Sequence, residues 1–205
     1  MDVKLLTTFA QISDMEHNAA YAMLTCHANT HKLAEEKPEV FVKRAMKAHH
    51  DTVLEHIWLT YEVGDFSRTC LQELARHRHI TLSVESTRHT LSKQLLNNTV
   101  QISLPDDMDE ELRGVIGGYL LVLVSYMKSH PDTPNDHIKY AIPECVCTNL
   151  IMTANVREMR HIASLRTSPA ALKEFQDLAR KFVDVVPERF RYLLEDCVHH
   201  GNGNS

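Results

Sequence analysis

The sequence predicts an α+β fold: a single domain with a central antiparallel or mixed sheet flanked by helices. Short stretches of alternating apolar and polar residues are typical of half-buried strands, and longer stretches begin with helix-capping residues. No stretch rich in Pro, Gly or Ser divides the chain. With 205 residues, of which 43% are hydrophobic and 24% charged, the chain has the size and composition of one globular domain. We expect this domain to cover residues 1–200, and the tail 201–205 to fray because it has nothing apolar to bury.

The first half of the chain is predicted to contain two strands and three helices. The segment 57–63 alternates and is rich in aromatic and β-branched residues, as strands are. Pro38 suits the first turn of a helix, and Ser67 suits the cap of another. In chain order, we expect a strand over 3–9, a helix over 15–26 capped by Ser13 or Asp14, a helix over 38–49, the strand over 57–63 and a helix over 67–78. Residues 82–89 are expected to be irregular.

The second half is predicted to contain a long helix, a strand and two helices that begin at prolines. The acidic run 106–111 places carboxylates where the positive end of a helix dipole would lie, so we expect a helix from there to about residue 128. A strand is expected over 148–155. Ser168-Pro169 provides a cap followed by a proline at the first helical position, and Pro187 repeats the arrangement.

Charge and cysteine content narrow the class of function. A net charge of −5 argues against nucleic acid or an anionic membrane as the main partner. The most apolar stretch, 115–127, is too short to span a bilayer. Five cysteines, an odd number, and the lack of a signal-peptide pattern favour the reducing cytoplasm.

The densest polar cluster is the run R-H-R-H at 76–79, followed by Ser86, Thr87 and Arg88. Neighbouring residues on a helix point in different directions, so the run could serve two ligands. Arginine binds phosphate through a rigid fork of donors, and hydroxyl and loop N–H groups could complete an anion site. Cations also stabilise the end of a helix without binding any ligand. From spacing alone, the two interpretations remain equally open.

Four ordered stretches resemble the flavin-dependent thymidylate synthase family. The R-H-R run at 76–78, followed after seven residues by Ser86 and then by Arg88, resembles the family's RHR-x7-S signature. The other three are T-V-L-E-H at 52–56, Y-A-I-P at 140–143, and N-V-R at 155–157 followed by S-L-R at 164–166. Together they cover most of residues 1–197, and their shared order argues against coincidence.

The resemblance implies reductive methylation of dUMP to dTMP. It implies FAD as the bound cofactor, NADPH as the reductant and methylenetetrahydrofolate as the carbon donor. It also implies an α+β homotetramer whose active sites are shared between subunits. No nucleic-acid or membrane partner is expected. A chain of this size has little room to enclose all of these ligands by itself.

The resemblance also implies roles for individual residues. Those matching flavin-contacting positions are His50, Thr52, Glu55, Arg76, His77, Arg78, Asn155, Arg157 and His161. Those matching dUMP-contacting positions are Glu73, Arg76, Glu85, Ser86, Thr87, Arg88, Lys139 and Arg166, with the phosphate against Ser86 and Arg88. Arg166 is the expected catalytic residue, because a fixed guanidinium beside the pyrimidine N3 would stabilise negative charge that develops there.

The chain departs from the family pattern at several of these positions. Ser83-Val84 stands where the family often has Asn-Glu, and His89 replaces the usual Tyr. Lys139 keeps the charge of the usual arginine without its fork, and His161 stands where asparagine is common. These departures bear on individual contacts more than on the function.

Two other functions remain as alternatives. The 14 histidines suggest a metallohydrolase, but no ordered motif such as H-E-x-x-H is present, so we expect no metal ligands. The second alternative is a non-catalytic nucleotide- or RNA-binding protein that uses the 76–78 run. Arg166 distinguishes this alternative, because a phosphate binder needs no cation at the edge of the base.

Overall fold

The computed structural model describes residues 1–97 and 99–199. The predicted frayed tail, 201–205, lies outside them. The described residues form one four-stranded antiparallel sheet with helices, so the predicted α+β class is confirmed. In chain order the strands are β1 (Asp2–Leu5), β2 (Trp58–Ser67), β3 (Ile80–Val84) and β4 (Cys147–Asn155), and their order in the sheet is β1-β2-β4-β3.

The described helices occur between and after these strands. The α-helices are α1 (Phe9–Thr25), α2 (Pro38–Lys47), α3 (Arg68–Leu74), α4 (Thr87–Leu96), α5 (Glu110–Ser129), α6 (Asn135–Ile138), α7 (Val156–Arg166) and α8 (Lys173–Asp184). The 3₁₀ helices are Thr30–Ala34, Asp51–His56, Lys139–Ala141, Glu188–Leu193 and Glu195–Cys197. None of the described helices is both long enough and apolar enough to cross a membrane.

Local sequence signals predicted several element starts correctly. The Ser67 hydroxyl accepts a hydrogen bond from the Cys70 N–H at 3.0 Å and caps α3. Pro38 is the first residue of α2, and Asp109, within the predicted acidic run, caps α5. The alternation in β2 and β4 buries every second side chain over most of each strand, as expected of a half-buried sheet.

The predicted start of the first helix was wrong. It begins at Phe9, not near residue 15, and the predicted strand is correspondingly shorter. Thr8 and Gln11 form a capping box, in which each side chain bonds the other residue's backbone N–H. This arrangement satisfies two N–H groups that a helix start otherwise leaves unpaired.

The region around the R-H-R run also differs from expectation. Helix α3 ends at Leu74, so residues 76–79 lie in a turn before β3 rather than on a helix. The supposedly irregular segment 82–89 contains the end of β3 and the start of α4. The Glu85 N–H donates to the Asn149 carbonyl at 2.8 Å, a pairing with a distant strand that local pattern cannot reveal.

The predictions that two helices begin at Pro169 and Pro187 were also wrong in detail. Ser168-Pro169 lies in a turn, where the Ala171 N–H donates to the Ser168 carbonyl at 3.0 Å, and α8 begins only at Lys173. Pro187 precedes a 3₁₀ helix instead of occupying the first turn of an α-helix. Proline fixes φ in either setting, so the residue alone does not distinguish them.

The chain divides into two compact units. The first comprises residues 1–2, 63–76 and 83–150, and the second 3–62, 77–82 and the chain from 151. In the first unit a cluster of buried residues joins α4, α5 and α6; its members are Leu91, Leu95, Leu123, Met127 and Ile138. In the second unit the rings of Tyr61 and Phe182 pack with centroids 4.8 Å apart.

Candidate functional site

The first unit contains a polar cavity of about 600 Å³. Arg68, Arg88 and Lys139 line it, together with the carboxylates of Asp136 and Glu144. Two of these cations were predicted dUMP contacts. Arg68 was not singled out from the sequence, since a lone arginine at a helix start carries no motif. Guanidinium and ammonium groups that converge on one cavity suit a phosphate-bearing ligand.

Arg88 is held at this cavity by two residues around α6. Its Nε lies 2.7 Å from one Asp136 carboxylate oxygen, and its NH2 donates to the other at 2.8 Å. The Asn135 amide donates to the Arg88 carbonyl at 2.6 Å. The Arg88 and Asp136 side chains are 63% and 52% exposed, so this ion pair contributes at most about 1 kcal/mol. A doubly charged phosphate can therefore replace Asp136 as the partner of Arg88.

The N-terminus of α4 adds donors beside Arg88. Ser86 is the residue before the helix, is exposed, and forms no side-chain capping bond. Thr87 is the first residue of the helix. N–H groups at a helix start and the positive end of its dipole favour an anion. The structure thus brings Ser86, Thr87 and Arg88 together by sequence adjacency at a helix N-terminus, as a phosphate site requires.

The Glu85 carboxylate is fixed by two amides. One oxygen accepts from the Gln94 amide at 2.8 Å, and the other from the Asn149 amide at 2.5 Å. Asn149 in turn accepts from the Asp65 N–H at 3.2 Å. A Cβ at Gly64 would lie 3.2 Å from the Asn149 side-chain oxygen, so the glycine permits this close approach. Asn149 was missed because strand pairing brings it beside Glu85, and Gln94 was missed because it reaches Glu85 from α4.

Glu73 lies in the last turn of α3 and Arg76 in the turn that follows it, both within the first unit. A carboxylate oxygen of Glu73 lies 3.6 Å from an Arg76 guanidinium nitrogen, and Arg76 is largely exposed. The boundary between the two units falls directly after Arg76, so His77 and Arg78 belong to the second unit. Arg78 is exposed in the turn before β3.

A buried network in the second unit connects the R-H-R run to α7. His77 and Glu158 are only 7% and 8% exposed, and His77 Nδ1 lies 3.0 Å from the Glu158 carboxylate. The Nε of Arg166 donates to His77 Nε2 at 3.1 Å. The Arg166 guanidinium also lies 4.8 Å from the centre of the Phe175 ring. The predicted residues His77 and Arg166 are therefore in direct contact, whereas Glu158 and Phe175 were missed by sequence reasoning.

The charge state of His77 follows from these neighbours. Burial lowers the pKa of His77 below its ordinary value, and the positive charge of Arg166 acts in the same direction. The Glu158 carboxylate opposes them by hydrogen bonding, and His161 adds a smaller lowering. The net effect is a lowered pKa, so His77 is neutral at neutral pH.

His77, Glu158 and His161 have the residue types of a metal site. Their ligand atoms lie within 4.8 Å of one another, although no metal ligands were expected from the sequence. However, the Arg166 guanidinium 3.1 Å from His77 opposes a bound cation by its positive charge. We therefore interpret the cluster as a hydrogen-bonded network.

A second cavity, of about 310 Å³, lies in the second unit. It is lined by three predicted flavin contacts: His50, Thr52 and Arg157. The Arg157 guanidinium pairs with Glu55 at 2.5 Å, which adds a fourth predicted residue to the same place. The ring of His27, two residues after the end of α1, stacks on that of His50 with centroids 6.5 Å apart. Nothing in the sequence around His27 predicted this contact.

Asn155 has a structural use that the sequence did not suggest. Its side-chain oxygen accepts from the Glu158 N–H at 2.9 Å and caps α7. The cap fixes the start of the helix that carries Arg157, Glu158, His161 and Arg166. His161 is exposed, and its ring lies 5.6 Å from that of His77, edge to face.

Comparison with known proteins matches nearly the whole chain. The family model described as thymidylate synthase complementing protein matches residues 6–190. A flavin-dependent thymidylate synthase of Helicobacter pylori strain J99 is 35% identical over 161 residues, which are 74% of this chain and 77% of the relative. One of Campylobacter jejuni strain RM1221 is 32% identical over 173 residues, 80% of this chain and 83% of the relative. The crystal structure of thymidylate synthase X from Helicobacter pylori with FAD and dUMP has a TM-score of 0.83 at 31% identity, covering 98% of this chain and 100% of that one.

Proposed function

The chain belongs to the family of flavin-dependent thymidylate synthases, and we propose that it methylates dUMP to dTMP with FAD as its cofactor. The observation that carries this proposal is the contact between His77 and Arg166, which are 89 residues apart in sequence. It joins the R-H-R run to the arginine that the reaction requires. A non-catalytic nucleotide or RNA binder is not favoured, because it has no need of a buried network that orients this guanidinium.

The second cavity has the chemistry to hold part of FAD. The Arg157 guanidinium and Thr52 hydroxyl suit a diphosphate or ribose, and the stacked rings of His27 and His50 suit a flat aromatic group. When bound, FAD supplies the hydride that reduces the transferred carbon. At about 310 Å³ the cavity is at the lower end for ligand pockets, so it encloses only part of a dinucleotide.

We assign the dUMP contacts to two groups of residues. Arg88, Lys139 and the start of α4 bind the phosphate, and Arg68 adds positive charge at the same cavity. Arg166 acts on the base. A uracil ring must gain electron density at C5 before it can attack an electrophilic carbon, and a fixed guanidinium beside N3 stabilises the negative charge that this creates. Neutral His77 keeps the Arg166 side chain in place by accepting from its Nε.

The remaining reactants follow from the balance of the reaction. Methylation of dUMP needs a one-carbon donor. If the carbon is transferred as a methylene group, two more electrons are needed to reduce it to a methyl group. We propose methylenetetrahydrofolate as the carbon donor, which leaves as tetrahydrofolate, and NADPH as the source of the two electrons through FAD. The reaction belongs to nucleotide biosynthesis, and we place it in the cytoplasm, in one catalytic domain over residues 1–200.

The exposed side of α5 supports assembly with further copies of the chain. Val115, Leu121 and Val122 are between 63% and 73% exposed on this helix, and Tyr119 and Tyr126 are also exposed. Apolar exposure of this extent on one helix marks an interaction surface. We propose that a second copy covers it in a homotetramer, in which neighbouring subunits complete sites that one cavity only partly encloses.

Flavin absorbance tests this function directly. The purified full chain should bind FAD and be yellow, and NADPH should bleach it in the absence of oxygen. The colour should return only when dUMP and methylenetetrahydrofolate are added together. A colourless protein that fails to take up added FAD would contradict the proposal.

A further inference from the structure

The contacts of His77 determine which of its nitrogens carries the proton. An arginine Nε–H can only donate, so His77 Nε2, 3.1 Å from Arg166 Nε, must be the acceptor. A neutral imidazole that accepts at Nε2 carries its proton at Nδ1. That nitrogen lies 3.0 Å from the Glu158 carboxylate, which can only accept when ionised. The three side chains therefore form a directed chain of donors, from Arg166 to His77 to Glu158.

Glu158 is well placed to maintain this direction. It is buried, it lies on α7 two turns before Arg166, and its own N–H is fixed by the Asn155 cap. Without an acceptor beside Nδ1, the other tautomer of His77 would become accessible. That tautomer places an Nε2–H against the Nε–H of Arg166, which turns an attractive contact into a repulsive one.

We propose that Glu158 is a positioning residue: its carboxylate holds His77 in the Nδ1–H tautomer, and His77 in that form orients the Arg166 guanidinium. Stacking on Phe175 sets the plane of the guanidinium, and the Nε contact sets its rotation within that plane. This inference rests on the proposed function, in which Arg166 acts on the pyrimidine. Glu158 itself would touch neither substrate nor cofactor. Its role would resemble that of the carboxylates that orient metal-ligating histidines in other proteins.

The network also makes activity depend on the charge of His77. The charged and titratable groups that face His77 are Glu158, His161 and Arg166, all on α7, and the facing residue on α8 is the uncharged Phe175. Protonation of His77 would place a proton on Nε2 and break the Arg166 contact. In a plot of kcat against pH, the loss of activity on the acidic side, the acidic limb, therefore comes from this protonation. Glu158 favours the protonated form, so its neutralisation moves this limb to lower pH.

Three measurements test the proposal on the full chain. The first is the ¹⁵N spectrum of the protein labelled at histidine, with His77 assigned through His77→Asn. The second is kcat for dTMP formation in Glu158→Ala and Glu158→Gln. The third is the pH dependence of kcat in Glu158→Gln. The matched control is Glu16→Gln, because Glu16 is also a buried carboxylate bonded by an arginine and a second side chain, Arg189 and Tyr192.

The proposal predicts a definite result for each measurement. His77 should show a protonated Nδ1 and an unprotonated Nε2. The kcat of Glu158→Ala should fall at least about tenfold through misorientation of Arg166, whereas Glu158→Gln, which keeps an acceptor oxygen, should recover part of it. The acidic limb of Glu158→Gln should move to lower pH, and Glu16→Gln should keep both the wild-type kcat and the wild-type limb.

Three outcomes would overturn it: an Nε2-protonated or charged His77 at neutral pH, a Glu158→Ala kcat within twofold of wild type, or an unmoved limb in Glu158→Gln. If Glu158→Ala does not fold, the spectrum and the Gln variant decide. A wild-type protein that forms no dTMP would contradict the proposed function instead, and the tautomer of His77 would still decide this inference.

Discussion

The Nε of Arg166 donates a 3.1 Å hydrogen bond to Nε2 of His77, and this contact joins two motifs that are far apart in the chain. The imidazole is buried and the guanidinium is stacked on Phe175, so Arg166 is oriented before any ligand arrives. A preorganised cation of this kind stabilises charge in a transition state without reorganisation at the moment of reaction.

Arg166→Ala is expected to abolish most of the activity while leaving the cofactor bound. Loss of one preorganised donor costs a factor of about 100 to 1,000 in kcat, and the residues of the second cavity are unchanged. Steady-state dTMP formation and the flavin content of the purified variant measure the two effects. Arg166→Lys, which keeps the charge without the Nε donor, should also be impaired; wild-type turnover in Arg166→Ala would remove the assigned role.

Asp136→Asn is expected to strengthen dUMP binding. In the proposed site Asp136 competes with the dUMP phosphate for Arg88. An exposed pair of this kind is worth at most about 1 kcal/mol, so KM for dUMP should fall by up to about fivefold. Steady-state kinetics with varied dUMP measures this change. Asp132→Asn removes an exposed acid that does not line the cavity and should leave KM unchanged. An increased KM in Asp136→Asn would show that Asp136 assists binding.

His77 should make folding stability depend on pH in a defined direction. Its pKa is lowered in the folded protein from an ordinary value of 6.5, so the unfolded chain binds more protons in the interval between the two values. The contribution of neutral His77 to folding stability is fully present above about pH 6.5, and it is lost as the pH falls through the pKa of His77 in the folded protein. Urea unfolding between about pH 8 and pH 5 should show a free-energy difference between wild type and His77→Asn that shrinks toward acid; a constant difference would contradict the lowered pKa.

Asn155→Ala is expected to cost about 1 kcal/mol of stability. The substitution removes the side-chain cap on the Glu158 N–H and leaves that donor unpaired. Denaturant unfolding measures the change. Asn155→Asp and Asn155→Ser retain a capping oxygen and should stay near wild type, so equal losses in all three variants would rule out the cap as the cause.

Leu121→Glu together with Val122→Glu is expected to dissociate the proposed homotetramer. Both side chains lie on the exposed apolar side of α5, and burial of two carboxylates there would carry a large desolvation cost. Size-exclusion chromatography with light scattering measures the mass. Asn18→Glu, which adds a charge to the exposed side of α1, serves as the control. A double variant with the mass of wild type would exclude this surface as the interface.

Features set by neighbouring residues were predictable from the sequence. Alternation identified β2 and β4, and the capping preference of Ser67 and the fixed φ of Pro38 located the starts of two helices. These signals depend only on local backbone chemistry. The first helix was misplaced because the predicted strand was extended to residue 9, whereas β1 ends at Leu5 and the capping box of Thr8 and Gln11 starts the helix at Phe9.

The resemblance pointed to candidate residues of the site, but not to the contacts that hold them. His77 and Arg166 belong to motifs that could be recognised separately, and spacing did not indicate their contact. Glu158 lies inside the N-V-R to S-L-R segment and carries no signal of its own, because its role exists only once α7 packs against the turn at residue 77. The amide of Asn149 was hidden for a similar reason, because strand pairing and not local sequence brings it beside Glu85.

The most direct test of the central claim is the transfer of a labelled carbon to dUMP. With methylenetetrahydrofolate labelled in its methylene carbon, the full chain should convert dUMP to labelled dTMP. It should do so only when FAD and NADPH are present. Omission of FAD from protein stripped of its flavin should abolish the product, and added FAD should restore it. Labelled dTMP formed without flavin, or no dTMP with every reactant present, would contradict the assignment.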